Sequence, residues 1–161
     1  MKRKVALSLL VMLMAVLLAS SAGAAPKPII TADQQYFDVN TGLYVLKGNV
    51  YIEVRNRIIT AGQAKVNMGS LEVWGSGGVT VTQGDIYFSG DSVYVYGLQD
   101  RADIAGGVYF KRTDLEISAD RVQFNWHSKL ATFNGNVHIN QGGNTWTADN
   151  LTYNVDTNTI L

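Results

Sequence analysis

Apolar and polar residues alternate along most of the chain, and the alternation returns in register every 29 residues. Ala32, Ala61, Gly90, Ala119 and Ala148 hold one phase of this repeat, and Val50, Val79, Val108 and Val137 hold another. A fixed period of this length means one structural unit stacked on copies of itself, each burying its apolar face against its neighbours. In the second half of each unit one column is apolar. It runs Tyr44, Leu46, Gly48, Val50, Ile52; then Val73, Gly75, Gly77, Val79, Val81; then Ala102, Ile104, Gly106, Val108, Phe110; then Ala131, Phe133, Gly135, Val137, Ile139. The residues between are mostly polar, as in Lys47 and Asn49 or Asn134, Asn136 and His138. Period-two alternation predicts strands with one face buried and the other wet.

The first half of each unit changes parity once. Ile59 and Ala61 share one phase, whereas Ala64, Val66 and Met68 share the other, and the same slip follows Ala32, Gly90, Ala119 and Ala148. An uncorrected slip would send half the apolar set to the wrong face, so its recurrence predicts a bulge that turns each strand at its middle. Asp33, Gly62, Asp91, Asp120 and Asp149 stand at the slip, and Gly48, Gly77, Gly106 and Gly135 mark a sharp bend in the apolar column. Turn-forming residues come about every half repeat, for example Asn40-Thr41-Gly42, Gly84-Asp85 and Gly142-Gly143-Asn144. The expected fold is therefore all-β: about nine long, bent strands, joined by short turns and so antiparallel. A parallel β-helix of 29-residue coils fits the same period and stays open at this point.

Residues 1–25 lie outside the repeat. Lys2, Arg3 and Lys4 precede an apolar run from Val5 to Ala19 and then the small residues Ser20-Ser21-Ala22-Gly23-Ala24-Ala25, the layout of a cleavable secretory signal. A retained membrane anchor is the alternative. The expected division is a signal peptide over 1–25 and one β domain over 26–161, exported to the periplasm. The chain has no Cys, which excludes disulfides, thiolate metal sites and a lipoprotein linkage. Past the signal, 10 Lys and Arg face 13 Asp and Glu, a balance with no basic patch for nucleic acid.

The phased openings Ile30-Thr31-Ala32-Asp33 and Ile117-Ser118-Ala119-Asp120 carry a resemblance, together with the cores Gly48-Asn49-Val50, Gly77-Gly78-Val79, Gly106-Gly107-Val108 and Gly135-Asn136-Val137. The sequence resembles the OstA-like domain of the periplasmic lipopolysaccharide-transport (LptA) family over about residues 29–160. The resemblance implies a bent, V-shaped antiparallel jelly roll (a "β-taco") whose interior receives acyl chains of lipopolysaccharide or a related envelope lipid. It also implies partners in the inner- and outer-membrane transport machinery, end-to-end association of copies, and no catalysis or cofactor.

On that reading the groove is lined, unit by unit, by Ile30, Phe37, Leu46 and Val50; by Ile59, Val66 and Val79; by Phe88, Val95, Ile104, Val108 and Phe110; by Ile117, Phe124, Trp126, Phe133, Val137 and Ile139; and by Tyr153. Large rings opposite Ala and Gly leave room for alkyl chains, and at about 0.8 kcal/mol per methylene a C12–C14 chain offers on the order of 10 kcal/mol gross. Ile30 and Ala32 at one end, and Leu151, Tyr153 and Val155 at the other, are expected at open sheet edges suited to head-to-tail assembly. The Asp column and the two histidines, His127 and His138, lack metal-ligand spacing and are expected to be structural or surface residues. The rival function is a non-lipid structural or filament protein of the envelope. A polysaccharide-acting β-helix enzyme is a third reading; it requires a carboxylate cluster breaking the repeat, and none is visible.

Overall fold

The computed structural model describes residues 29–54 and 57–161. The segment read as a signal peptide lies outside the described residues. Eight strands of 11 or 12 residues form the body: β3 (Leu43–Val54), β4 (Arg57–Asn67), β5 (Glu72–Gln83), β6 (Ile86–Tyr96), β7 (Arg101–Arg112), β8 (Leu115–Asn125), β9 (Leu130–Gln141) and β10 (Asn144–Asn154). Each pairs antiparallel with the next in sequence, which sets the parallel β-helix aside. β1 (Ile29–Thr31) and β2 (Gln34–Asp38) both pair with β3, and β11 (Thr159–Ile160) pairs with β10. The first bent strand is thus two short strands separated at Ala32-Asp33, where the sequence pattern predicted one.

Every long strand bends at its middle for a common reason. At each bend the odd-numbered strand carries one residue more than its partner: Gly48 and Asn49 lie between the pairs Lys47–Gln63 and Val50–Ala61. The doublets Gly48-Asn49, Gly77-Gly78, Gly106-Gly107 and Gly135-Asn136 all have positive φ, between 48° and 83°. Only Gly, and at lower frequency Asn, adopts this left-handed region cheaply, which is why the G-N or G-G pair recurs there. The parity slip of the even strands and the extra residue of the odd strands are two sides of one bulge.

The bends divide the sheet into two limbs. One limb, hereafter the A limb, contains the strand halves at Leu43–Lys47, Gln63–Asn67, Val93–Tyr96, Arg101–Ala105, Arg121–Asn125 and Leu130–Asn134. The B limb contains the other halves, including Val79–Gln83, Val108–Arg112, Leu115–Ala119 and Val137–Gln141. Phe110 of the B limb lies 5.8 Å from Phe133 and 5.3 Å from Tyr153, both on the A limb, and Phe88 of the B limb stacks on Phe133 at 6.5 Å. The sheet is therefore folded along its line of bends, and the inner columns of the two limbs face each other. This is the bent antiparallel jelly roll that the family resemblance implied, built from the bent antiparallel strands expected from the repeat.

The turns follow the repeat as well. Beyond the A limb, the side-chain carbonyl oxygens of Asn67, Asn125 and Asn154 accept hydrogen bonds of 2.9–3.2 Å from backbone N–H groups two and three residues on, and the Asp38 carboxylate accepts from the Asn40 N–H and the Thr41 hydroxyl. These side-chain-closed turns are what Asp and Asn supply. The corresponding position in the third unit is Tyr96, which offers no such acceptor. There the chain closes instead with one turn of 3-10 helix, Gly97–Gln99.

Candidate functional site

The region between the limbs is built from the inward column of every strand. Of the residues expected to line it, Ile30, Leu46, Val50, Val66, Val79, Phe88, Ile104 and Val108 are buried, as are Phe110, Ile117, Phe133, Val137, Ile139 and Tyr153. Ile59, Val95, Phe124 and Trp126 are half-buried, and Phe37 is 46% exposed beside Tyr44 at the β2 end. Leu115, Val122, Ala131 and Ala119 join the same cluster, although they were not among the residues expected to line the groove.

Two packing regimes share this interior. From β6 to β10 the limbs meet around the rings of Phe88, Phe110, Phe133 and Tyr153, the last three with no solvent exposure. Nearer the first strands a separate cluster, Ile30, Leu46, Val50, Ile52, Ala64, Val66 and Val73, contains no buried ring. Between the two, the inward residues Ile59, Ala61, Val81, Val93 and Val95 stay half-buried. Aliphatic side chains left half-buried on an inward face are the feature of this interior best suited to apolar ligands.

The edges differ from expectation in one respect. Tyr153 and Asn154 pair with β11, and Leu161 N–H donates to Thr152 O at 2.9 Å, so the strand through Leu151, Tyr153 and Val155 is covered there. The part of β10 without a further strand, among the described residues, is Asn144–Ala148. Ile30 is buried in β1, and Ala32, in the break that follows it, is half-buried. Large apolar side chains are exposed toward both ends of the sheet: Ile29, Phe37 and Val39 at one, Trp146 and Leu161 at the other. A cleft of about 410 Å³ beside the β10 edge is lined by Ile139, Trp146, Tyr109 and His138 among others.

The outer face is polar and paired. Glu72 accepts hydrogen bonds from Ser70 and Tyr94, which hold its carboxyl below the usual range. Lys111 and Glu116 form an ion pair at 3.0 Å. His138 contacts the Asn136 carbonyl through Nδ1 at 2.8 Å, and His127 lies in a turn. Among the described residues no three His, Asp or Glu side chains gather into a metal-binding group.

One inward residue breaks the apolar pattern. Arg112 continues the column of Val108 and Phe110 and pairs with buried Leu115. Its Nε donates to Asp85 Oδ2 at 3.0 Å on its own limb. Its Nη1 donates across to the A limb, to Tyr153 OH at 3.2 Å and the Val155 carbonyl at 2.5 Å. Burial works against its charge, but the bonds to Tyr153 and Asp85 prevail and hold the guanidinium above its ordinary value. The signal for it was present, since it falls two residues beyond Phe110 on an inward phase.

The sequence family described as LptA/(LptD N-terminal domain) LPS transport protein matches residues 58–159. The chain belongs to this family. No curated protein matches it. Among solved structures, LptH of Pseudomonas aeruginosa, the LptA-homologous periplasmic component of a lipopolysaccharide transport device, matches at 13% identity, covering 83% of this chain and 80% of that one with a TM-score of 0.35.

Proposed function

We propose that this chain is a periplasmic carrier of lipopolysaccharide, which shelters acyl chains between its two limbs and forms part of a bridge between inner and outer membranes. The observation that carries this reading is the inward face itself: two facing apolar columns, closed by rings from β6 to β10 and lined by half-buried aliphatics from β4 to β6. Hydrocarbon needs no polar recognition there, because each buried methylene contributes about 0.8 kcal/mol. Family membership supports the cargo, and the basic-apolar-small segment at residues 1–25 supports export. Exposed apolar side chains at both ends of the sheet support end-to-end contact with further copies or with membrane-bound partners.

The rival reading, a structural protein with a dry interior, is favoured by the solvent-free rings of Phe110, Phe133 and Tyr153. Native mass spectrometry of residues 26–161 with lipid A separates the two. A one-to-one lipid adduct that a deacylated lipid A fails to form is the expected result; no adduct with either supports the dry filament.

A further inference from the structure

Arg112 lies where the two limbs approach each other at their tips. Its backbone is the last residue of β7 on the B limb, and its side chain is 19% exposed. The phenol it reaches, Tyr153, is fully buried on the A limb and also donates to Asn158 Oδ1. One guanidinium therefore ties Asp85, on the turn before β6, to a phenol and a main-chain carbonyl across the mouth of the groove.

These partners are unequal. Asp85 is a carboxylate, 47% exposed, whereas the two contacts across the mouth are neutral acceptors. A guanidinium exchanges neutral acceptors for a phosphate at a gain, because the phosphate brings an opposite charge and a bidentate geometry that a phenol and a lone carbonyl lack. A lipid whose chains lie between apolar limbs must leave its head at the mouth, level with the end of the inward column. Among the described side chains of the inward columns, Arg112 is the charged one at that level.

We propose that Arg112 is a latch across the groove mouth, which a lipid phosphate releases by taking the guanidinium away from Tyr153 and Val155. The inference rests on the carrier reading and adds to it a headgroup requirement: acyl chains borne on a phosphate enter faster than the same chains without one. Exchange is non-covalent and leaves Asp85 as the anchor on the B limb.

The test is the rate at which the exported chain takes up a pyrene-labelled diacyl phosphatidate, compared with the matching diacylglycerol. The wild-type chain is expected to load the phosphatidate on the order of tenfold faster. Arg112→Gln should load both at one rate, and Arg112→Lys should keep a reduced preference. Tyr153→Phe, which keeps the ring and the guanidinium but removes one contact across the mouth, should accelerate diacylglycerol uptake and narrow the gap. Inorganic phosphate added alone should leave diacylglycerol uptake unchanged; acceleration by it would assign Arg112 to free phosphate and overturn the lipid assignment. Equal loading of the two lipids by wild type, or an unaltered preference in Arg112→Gln, overturns the latch while leaving the carrier standing. Uptake of neither lipid by any variant overturns both.

Discussion

Asp120 Oδ2 accepts a 2.9 Å hydrogen bond from Asn136 Nδ2, across a bend where the two residues lie 16 positions apart. Asp33 and Asn49 repeat the contact at 3.0 Å, also 16 positions apart. At Gly48, Gly106 and Gly135 a β-carbon would run into the carboxylate of Asp33, Asp91 and Asp120 respectively. Where the unit carries Gly62 in place of the Asp, Gly77 packs directly on the Gly62 backbone. The bend thus has two parts: a left-handed doublet on one strand, and a short acidic side chain or bare backbone that fills the hollow beside it.

Gly135→Ala should therefore be more damaging than a left-handed glycine elsewhere. Gly135 has φ of 77° and no room for a β-carbon, whereas Gly142 has φ of 57° with nothing within 4 Å. The conformational cost alone is about 1–2 kcal/mol at either position. Urea denaturation should show Gly142→Ala losing about that much and Gly135→Ala clearly more. Equal losses would mean that the Asp120 contact is unimportant.

Phe133 is the ring on which the limbs converge, touching both Phe88 and Phe110 and fully buried. Phe133→Ala should lower unfolding free energy by about 3–5 kcal/mol. A loss below about 1 kcal/mol would show that the limbs close without their rings. The same substitution at Phe37, 46% exposed, should cost far less.

Acid should loosen the mouth. The hydrogen bond from Arg112 holds the Asp85 carboxyl below its ordinary value, with Thr113 adding to it. A depressed folded pKa means a stabilising contribution fully present above the unfolded value of about 4 and lost as pH falls through the lower folded value. Glu72 and Glu116 shift the same way for the same kind of reason. Melting temperatures of wild type and Asp85→Asn should differ at pH 6 and converge as the pH falls below the ordinary carboxylate range. A constant difference across that range would contradict the linkage.

Much of this architecture is legible in the sequence because the period is physical. Columns such as Leu46, Val50 and Ile52 or Phe133, Val137 and Ile139 bury as the alternation says, and the parity slip at Gly62 or Asp120 locates the bend. What alternation does not carry is the pairing of side chains from different columns. The Asp residues stand at the slip in sequence, yet the positive φ belongs to the Gly-Asn and Gly-Gly doublets, and Asp33 and Asp120 act through their carboxylates. The cover that β11 gives Tyr153 depends on Thr159 and Ile160, a stretch too short to show a period. Arg112 was hidden by its charge, which masks an inward position from any search for apolar columns.

The account depends most on which face of the sheet meets the lipid. Val95 and Tyr94 are neighbours on β6: Val95 pairs with Val73 and Ala102 on the inward side, while Tyr94 meets Trp74 edge to face outside. A photo-crosslinking amino acid at Val95 should capture lipid A in the exported protein, and the same group at Tyr94 should not. Capture at both sites equally, or at Tyr94 alone, would contradict a groove between the limbs.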